Sequence, residues 1–319
     1  MKVSQPVMRT LLRINTKFTQ TQYFMPSIDD LIVKRNIVTD IIRSWPKGLL
    51  IALAALIGQG IGGAVALLGG LGDPALPEGV DIISFLFVRV ITGSVLYTFS
   101  GLFFMRIRLC RNETLLLGLA FNYVLIDMMN ALEGAFFTDM VSLPQSMVTA
   151  LFESMLVGFL LSLLFRTHGE TVRFKNRVSN WKSTFSTPEL VLRLTGAWLA
   201  FPVIYLTFGA LIAPLVMPYY QNHTFGLQLP DMSVIISLQI FRGGLILLFS
   251  LPFIALWRED WKRFILWFGL LLFFKDVVLA LGSAIWYSPY IRIVHGTELI
   301  VDGFVLALVY AFLLVKGRV

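Results

Sequence analysis

Long apolar runs separated by short polar segments dominate the chain. Eight of these runs reach roughly 20 residues or more, the length that a helix needs to cross the hydrocarbon core of a bilayer. Because lipid offers no hydrogen-bond partner, each run must satisfy its own backbone groups as a helix. The pattern predicts an all-α fold, a polytopic transmembrane helix bundle with spans at residues 49–70, 84–105, 114–133, 145–165, 190–216, 233–257, 264–285 and 293–315.

The composition agrees with this fold class. The chain of 319 residues is 57% hydrophobic and only 14% charged, far from the balance of a soluble domain of this length. Its single cysteine, Cys110, rules out a disulfide framework and a cysteine-based metal site, and we expect no cofactor. The formal charge of +7 is spread over loops beside the spans, so we expect membrane lipids as partners and no nucleic acid.

The basic residues also predict the orientation of the spans. If the N-terminus is cytoplasmic, 22 of the 26 Lys and Arg residues lie on the cytoplasmic side of the membrane, and Arg292 lies on the opposite side. An excess of basic residues in cytoplasmic loops is typical of membrane proteins. We therefore expect both termini in the cytoplasm (N-in/C-in).

The polar segments divide the chain into four parts. Residues 1–48 form a cytoplasmic N-terminal segment, 49–166 and 190–319 hold four spans each, and 167–189 form a cytoplasmic linker. Within the first part, residues 27–45 show the amphipathic pattern of a helix that lies on the inner leaflet. This helix either anchors the chain before the first span or docks a protein partner or anionic lipid.

The two four-span parts resemble each other. In each, a proline precedes a glutamate by nine residues and Gly-Phe begins five residues after it; the two glutamates are Glu153 and Glu298. Further upstream, the segment around Arg89 resembles the segment around Arg242. Because an even number of spans gives both parts the same orientation, we predict two repeats related by an axis along the membrane normal. The alternative is a chance similarity between Leu-rich helices.

Polar residues inside the spans are the candidate functional residues. A charge at membrane depth costs about 3 kcal/mol unless it is paired or hydrated, so such residues mark functional sites by default. We predict a pseudo-symmetric polar site in the outer half of the bilayer, formed by Arg89, Asp127, Asn130, Glu133, Glu153, Arg242, Lys275, Asp276, Arg292, His295, Glu298 and Asp302.

Helical spacing groups these residues by face. At 100° per residue, the polar residues from Asn122 to Glu133 share one face of the third span, and those from Arg292 to Asp302 share one face of the last. Such faces are expected where a helix lines a polar cavity or a buried network.

The repeat also suggests how the charges pair. It matches Arg89 with Glu153 in the first four spans and Arg242 with Glu298 in the second four. Pairs of this kind either line a polar cavity or only fix which helices pack together.

The last span carries the one histidine among these residues. His295 lies one turn from both Arg292 and Glu298, an arrangement that suits a proton relay. We expect no metal site, because one imidazole with Glu298 and Asp302 matches no dedicated metal-ligand spacing.

Small residues repeat along the first span. Gly58, Gly62, Ala66 and Gly70 recur every four residues. A small-residue face lets another helix approach closely, so this pattern predicts a helix-packing surface. The alternative is a surface that surrounds a lipid tail or a pigment.

The segment SPYIRIVHGTELIVDGF contains Pro289 followed by an Arg-x2-His-x2-Glu pattern at Arg292, His295 and Glu298. It resembles a pattern of uncharacterised bacterial polytopic inner-membrane proteins, and the likeness is confined to the C-terminal quarter of the chain. The resemblance implies a multi-pass protein of the inner (plasma) membrane and no assigned activity.

Three functions fit these features. The first is a carrier for a small polar or amphipathic solute, coupled to protons through His295, Glu298 and Asp302. The second is a non-catalytic structural or accessory subunit of a membrane complex, with a protein partner at the cytoplasmic N-terminal segment. The third is an intramembrane enzyme acting on a lipid-linked substrate, with Glu153, Glu298 and His295 as acid or base.

The sequence only partly distinguishes between these three functions. It holds no Walker loop, Gly-x-Ser-x-Gly elbow or His-Glu-x2-His pair, so no recognised catalytic motif supports the enzyme. A water-accessible cavity that reaches Glu153 and Glu298 would favour the carrier or the enzyme, whereas charges sealed in dry helix contacts would favour the subunit.

Overall fold

The computed structural model describes residues 37–71, 80–166 and 173–316. In these ranges the regular structure is helical, apart from one isolated antiparallel bridge between Thr138 and Leu227. Besides a 3₁₀ turn at Thr224–Gly226, the helices are α1 (Ile37–Leu68), α2 (Ile82–Ile107), α3 (Arg111–Phe137), α4 (Leu143–Leu164), α5 (Phe174–Lys182), α6 (Thr187–Gln221), α7 (Met232–Leu256), α8 (Trp261–Leu281) and α9 (Pro289–Val315).

Eight of the helices in the described ranges, all except α5, are long and apolar enough to cross a membrane. The predicted all-α fold with eight spans is therefore confirmed, and the protein is a multi-pass membrane protein. The predicted inner-leaflet helix lies partly outside the described residues, at 27–36. Residues 37–45 belong to α1, which continues through Pro46 into the first span.

Capping side chains set where several helices begin. Asp81 accepts hydrogen bonds from the second and third backbone N–H groups of α2, at 3.2 and 3.1 Å. Asp260 does the same for α8, at 2.8 and 3.0 Å. The hydroxyl of Ser84 and the two backbone N–H groups hold the pKa of Asp81 below its usual value. These carboxylates satisfy donors that have no partner within the helix and lie at its positive end.

Three of the described spans contain a π-helical segment, and the short one at the end of α9 covers Ala311–Val315. In α3 the segment covers Phe121–Met128, and in α8 it covers Phe274–Leu281. Backbone hydrogen bonds in a π-helix link residues five apart, so side chains five apart share a face. α2 packs against the π segment of α8, and α7 packs against the π segment of α3. The π segments of α3 and α8 therefore lie where the first four spans meet the last four.

Aromatic rings fill this contact. Phe99 of α2 lies 4.9 Å from Phe274, and Phe253 of α7 lies 5.6 Å from Phe121, measured between ring centroids. Phe103 adds a third ring, 5.4 Å from Phe253. Pairs of this kind contribute about 0.5–1.5 kcal/mol beyond the burial of their area. The contact between the two groups of spans is thus apolar and tightly packed.

At the end of the bundle where α3 and α8 begin, polar contacts join the same two groups of spans. Arg106 at the end of α2 forms an ion pair with Glu259, N to O 2.5 Å. Its guanidinium also lies 4.0 Å from the centroid of the Trp267 ring. α5 lies at this end too, because the Trp181 Nε1–H donates to the backbone oxygen of Leu314 at 3.2 Å.

Small residues bring α1 close to α4. A Cβ atom added to Gly58 would lie 2.6 Å from the Cα of Glu153, and one added to Gly62 would lie equally close to another Cα of α4. Ala66 is fully buried. Gly70, predicted as the fourth member of this surface, does not belong to it. It lies beyond the end of α1 with φ +73°, a conformation that favours glycine and ends the helix.

This packing predicts a large cost for one added methyl group. We expect Gly58→Ala to destabilise the full chain in lipid nanodiscs by about 1–3 kcal/mol, because the backbone of α4 must move away. Gly60→Ala is the matched control on the same helix, since its added Cβ meets no heavy atom within 4 Å. Thermal unfolding of both variants measures the difference. A Gly58→Ala protein as stable as the control would contradict the close contact.

Candidate functional site

A cavity of about 740 Å³ lies between α3, α6, α8 and α9, with the first residues of α7 at its rim. Its size falls in the range of sites that hold drug-sized ligands. Most of its wall is apolar, with side chains such as Phe137, Leu206 and Val216. The ionisable acidic and imidazole residues that line it are Glu133, Asp231, Asp276, His295 and Glu298. We refer to it below as the main cavity.

An ion pair with a buried arginine holds the first of these carboxylates, whose own side chain is 34% exposed. Arg242 of α7 is 4% exposed, and its Nη2 donates to Oε2 of Glu133 at 2.7 Å. Its Nη1 donates to Oε1 of Gln239 at 3.0 Å, and the hydroxyl of Tyr205 donates to Oε1 of Glu133 at 3.3 Å. The pair joins α3 to α7. Breaking such a pair leaves an uncompensated buried charge, so both partners are needed.

The other two intramembrane carboxylates of the main cavity are paired as well. Lys275 is 4% exposed and bonds the carboxylate of its neighbour Asp276. Nδ1 of His295 lies 3.0 Å from Oε2 of Glu298, one turn away on α9. Each of these three intramembrane carboxylates thus has one basic partner. Lys275 and Arg242 do not line the main cavity but lie directly behind its wall.

Glycines of the two groups of spans meet different surroundings. A Cβ added to Gly209 of α6 would lie 3.4 Å from Oε1 of Glu298 and would meet no backbone atom of α9 within 4 Å. In the first four spans, Gly58 of α1 lies directly against the backbone at Glu153. Gly209 therefore lines the main cavity beside a carboxylate, whereas Gly58 packs against a helix backbone.

Aromatic side chains complete the wall. Tyr205, Tyr220, Trp286 and Tyr287 line the main cavity, and the ring of Tyr220 lies edge-on, 6.5 Å from the ring of His295. Tyr287 lies in the connection between α8 and α9. Burial raises the pKa of its hydroxyl, and the carboxylate of nearby Glu133 raises it further. The phenol therefore remains protonated and neutral at physiological pH.

Glu153 lies in a separate and closed environment. It is 2% exposed and accepts hydrogen bonds from Nε2 of Gln59 at 2.6 Å and from the hydroxyl of Tyr97 at 2.9 Å. Arg89 lines the same void of about 10 Å³, which has room for about one water molecule. The guanidinium of Arg89 donates to Oγ of Ser283 at 3.4 Å. This cluster is too small to hold a solute.

Asp127 forms a third polar cluster through the π segment of α3. Nδ2 of Asn122 donates to Oδ2 of Asp127 at 2.8 Å and to Oγ of Ser154 at 3.1 Å. The hydroxyl of Ser154 lies 3.3 Å from the same Asp127 oxygen. Residues five apart meet here because the π-helix brings them onto one face. The bonds tie α3 to α4 one residue away from Glu153.

The predicted single site is therefore divided. The residues that the structure brings to the main cavity or directly behind its wall are Asn130, Glu133, Arg242, Lys275, Asp276, His295 and Glu298. The predicted site residues that do not line the main cavity are Arg89, Asp127 and Glu153, which belong to the other polar clusters, and Arg292 and Asp302, which lie on α9 outside its lining.

Both predicted ion pairs are wrong. Arg242 pairs with Glu133 and not with Glu298, because α7 packs against α3. Glu153 is held by neutral donors, and within the described ranges Arg89 forms no ion pair with it. Pairing between helices depends on which helices touch, and an internal repeat alone does not establish that.

The predicted common face of α3 is also split. The π segment keeps Asn122 and Asp127 against α4, whereas Asn130 and Glu133 beyond it face the main cavity. A rotation of 100° per residue holds only for an uninterrupted α-helix. The extra residue of the wider turn is not evident from the apolar pattern.

Several contributing residues were missed by the sequence reasoning. Gln59 could have been identified from the sequence, because it is an amide inside an apolar span and an unpaired amide in lipid is costly. Tyr97 and Tyr205 carried a weaker signal, since tyrosine is common in spans and near their ends. Among the described residues, no three His, Cys, Asp or Glu side chains are grouped to hold a metal ion.

We compared the chain with protein-family models, curated proteins and solved structures, and none of the three comparisons gives a match. The resemblance of the segment around Pro289 to uncharacterised inner-membrane proteins stays a prediction.

The buried ion pair predicts a strong coupling between two helices. We expect Glu133→Gln alone to destabilise the protein by about 3–5 kcal/mol, because Arg242 loses its carboxylate while buried. The double variant Glu133→Gln/Arg242→Gln should recover part of this loss, since no charge is then left unpaired. Thermal unfolding of the wild type, both single variants and the double variant in nanodiscs gives the coupling.

A surface pair on α6 is the matched control for this cycle. Arg193 and Glu189 form an ion pair at 2.8 Å with side chains 30% and 42% exposed, so Glu189→Gln should cost less than about 1 kcal/mol. Additive losses for Glu133 and Arg242 would show that the two side chains do not form the pair in the membrane.

Proposed function

We propose that the protein is a carrier of the inner (plasma) membrane that binds a small amphipathic solute in the main cavity. The observation that carries this proposal is a large, mostly apolar cavity with the carboxylates of Glu133, Asp276 and Glu298 in its wall. Ligand sites typically combine an apolar wall with a few convergent polar groups. Charges at membrane depth are expensive, so their convergence on one cavity favours a function there over packing alone.

The proposed orientation places the mouth of the main cavity on the non-cytoplasmic side. The distribution of Lys and Arg supports cytoplasmic termini. The cavity is lined by Met140, Leu229 and Tyr287, which belong to the connections after α3, α6 and α8. With cytoplasmic termini, all three connections face outward. The state described here is then open to the outside.

We further propose that residues 49–166 and 190–319 are two repeats related by an axis along the membrane normal. Arg89 and Arg242 are separated by 153 residues, and the π segments of α3 and α8 begin with the same separation. The reciprocal packing of α2 on α8 and of α7 on α3 supports such an axis.

The ion pair between Arg106 and Glu259 fits the same axis. These two residues are also 153 positions apart, so the pair joins corresponding positions of the two repeats. In carriers built from repeats, one repeat rocks against the other around a central site. We propose that this pair, with Arg106 also lying over Trp267, closes the cytoplasmic side while the main cavity is open outward.

The closed cluster around Glu153 supports a different role for the first four spans. Its carboxylate is bonded by Gln59 and Tyr97, and α1 lies directly against α4. These contacts are typical of a scaffold with no solute access. This observation also favours the second candidate, an accessory subunit, whose protein partner would bind the N-terminal segment at residues 1–48.

Cysteine accessibility tests the carrier. In a full chain with Cys110→Ser and Ala213→Cys, the new thiol lies in the wall of the main cavity. We expect a membrane-impermeant maleimide to label it in intact cells. Arg106→Gln should raise labelling from the cytoplasmic side several-fold, measured in inverted vesicles, because the closing ion pair is lost.

Glu189→Gln is the control for this experiment, since it removes a partly exposed ion pair within α6 at the same end of the bundle and keeps the bond from Arg193 to the backbone oxygen of Leu313 in α9. It should leave labelling from both sides unchanged. A thiol that reacts from outside and never from the cytoplasmic side, in Arg106→Gln as in the control, would support a static subunit. No labelling from either side would contradict an open cavity.

A further inference from the structure

We infer that the main cavity selects solutes that carry a positive charge on an apolar body, such as lipophilic quaternary cations and amphipathic amines. The inference rests on the proposed function, because it names the ligand class of the same cavity. It follows from the sign of the charges in the wall, from the directions in which they are bonded, and from the aromatic rings beside them.

More acidic than basic side chains line the wall of the main cavity. Among the residues that the structure describes, four carboxylates line the main cavity, those of Glu133, Asp231, Asp276 and Glu298, and no Lys or Arg does. The imidazole of His295 is the basic group in the wall. An anionic solute would therefore meet carboxylates, whereas a cation would relieve their mutual repulsion in a medium of low dielectric constant.

The two fixed cations near the wall have their bonds directed elsewhere. Arg242 donates to Glu133 and Gln239, and Lys275 bonds Asp276. Both side chains are 4% exposed. Each neutralises one carboxylate and offers nothing to an anion in the main cavity. Subtracting these two pairs leaves Glu298 and the rim residue Asp231 as uncompensated by Lys or Arg.

Glu298 is the carboxylate placed to meet a solute. Its Oε2 faces His295 at 3.0 Å. Its Oε1 lies beside Gly209 of α6, and both residues line the main cavity. Because glycine has no side chain, nothing of α6 beyond its backbone covers the oxygen at this position. A cationic group in the main cavity would contact this oxygen while the imidazole holds the other.

Aromatic rings provide a second interaction with a cation. Tyr205, Tyr220, Trp286 and Tyr287 all line the main cavity. A cation over such a ring gains about 0.5–2 kcal/mol, most when it is removed from water. The remaining apolar wall suits a hydrocarbon or aryl body. Together, one free carboxylate oxygen and several rings form a site for a soft organic cation.

The test uses two ions of nearly the same shape and opposite charge, tetraphenylphosphonium and tetraphenylborate. Their binding to the full chain is measured by equilibrium dialysis in nanodiscs of digalactosyldiacylglycerol, a lipid without net charge, so that the membrane itself favours neither ion. The double variant Ala213→Phe/Ala280→Phe, called the filled variant below, places two rings in the main cavity to block ions of this size and gives the background from lipid partitioning. We expect saturable binding of tetraphenylphosphonium to the wild type, and no binding of tetraphenylborate above background.

Two isosteric variants compare the effect on binding of Glu298, in the main cavity, with that of Glu153, its counterpart in the first four spans. Glu298→Gln should weaken tetraphenylphosphonium binding about tenfold, or ~1.4 kcal/mol. Glu153→Gln should leave it unchanged, because Glu153 does not line the main cavity. Thermal unfolding checks that each variant is folded. If the double variant Ala213→Phe/Ala280→Phe is not folded, Gly209→Ala, which adds a methyl group beside Glu298, replaces it.

The outcomes distinguish the ligand class from the carrier itself. Equal binding of both ions, lost in the filled variant, would overturn the selection of cations and leave a solute-binding cavity. An affinity for tetraphenylphosphonium that is unchanged in Glu298→Gln would also overturn it. If neither ion binds the wild type above the filled variant, the cavity binds no solute of this size and both proposals fail.

The cationic group could also belong to a lipid headgroup, which shares this chemistry. Nanodiscs that contain phosphatidylcholine supply a quaternary ammonium, whereas digalactosyldiacylglycerol supplies none, and neither lipid carries a net charge. Weaker tetraphenylphosphonium binding in phosphatidylcholine would identify the lipid as a competing occupant and support the selection of cations. Equal binding in both lipids would assign the site to free solutes and support it as well, provided that Glu298→Gln still weakens binding.

Discussion

The buried ion pair between Arg242 and Glu133 is the interaction on which the site depends. Removing an arginine and a glutamate from water costs several kcal/mol per ion, so each must find the other with good geometry. Nη2 of Arg242 lies 2.7 Å from Oε2 of Glu133, and the pair holds α7 against α3. Gln239 also bonds Arg242, and Tyr205 also bonds Glu133. That contact positions Glu133 in the wall of the main cavity and the π segment of α3 against the aromatic rings of α7.

The two groups of four spans use similar residues for opposite purposes. Around Glu153 the helices close, and the carboxylate is satisfied by Gln59 and Tyr97 with room for about one water molecule. Around Glu298 the helices separate, and the carboxylate shares a cavity of about 740 Å³ with His295. The first arrangement is rigid because every polar atom of the carboxylate has a neutral donor. In the second, one oxygen of the carboxylate faces the imidazole and the other lies beside Gly209 in the wall of the main cavity.

The balance of charge in this region explains how several ions can lie at membrane depth. Arg242 and Lys275 each neutralise one carboxylate behind the wall, so the cost of burial is met locally. The excess of acid that remains is small enough to be tolerated beside His295. This excess is negative, so a cationic group in the main cavity would neutralise it. The preference for cations that we propose follows from this remaining excess of acid.

The sequence by itself determined the all-α class, the eight spans and which polar residues are costly in lipid. These are local properties, because the length of an apolar run and the intrinsic cost of a residue type in lipid can be read from the residues themselves. Only the tertiary structure decided that Arg242 meets Glu133 and that Glu153 is sealed while Glu298 faces a cavity. Such outcomes depend on which helices touch and how each is rotated. The π segment of α3 changed that rotation, and Gly209 faces a cavity where Gly58 faces a helix, although both are glycines in apolar spans.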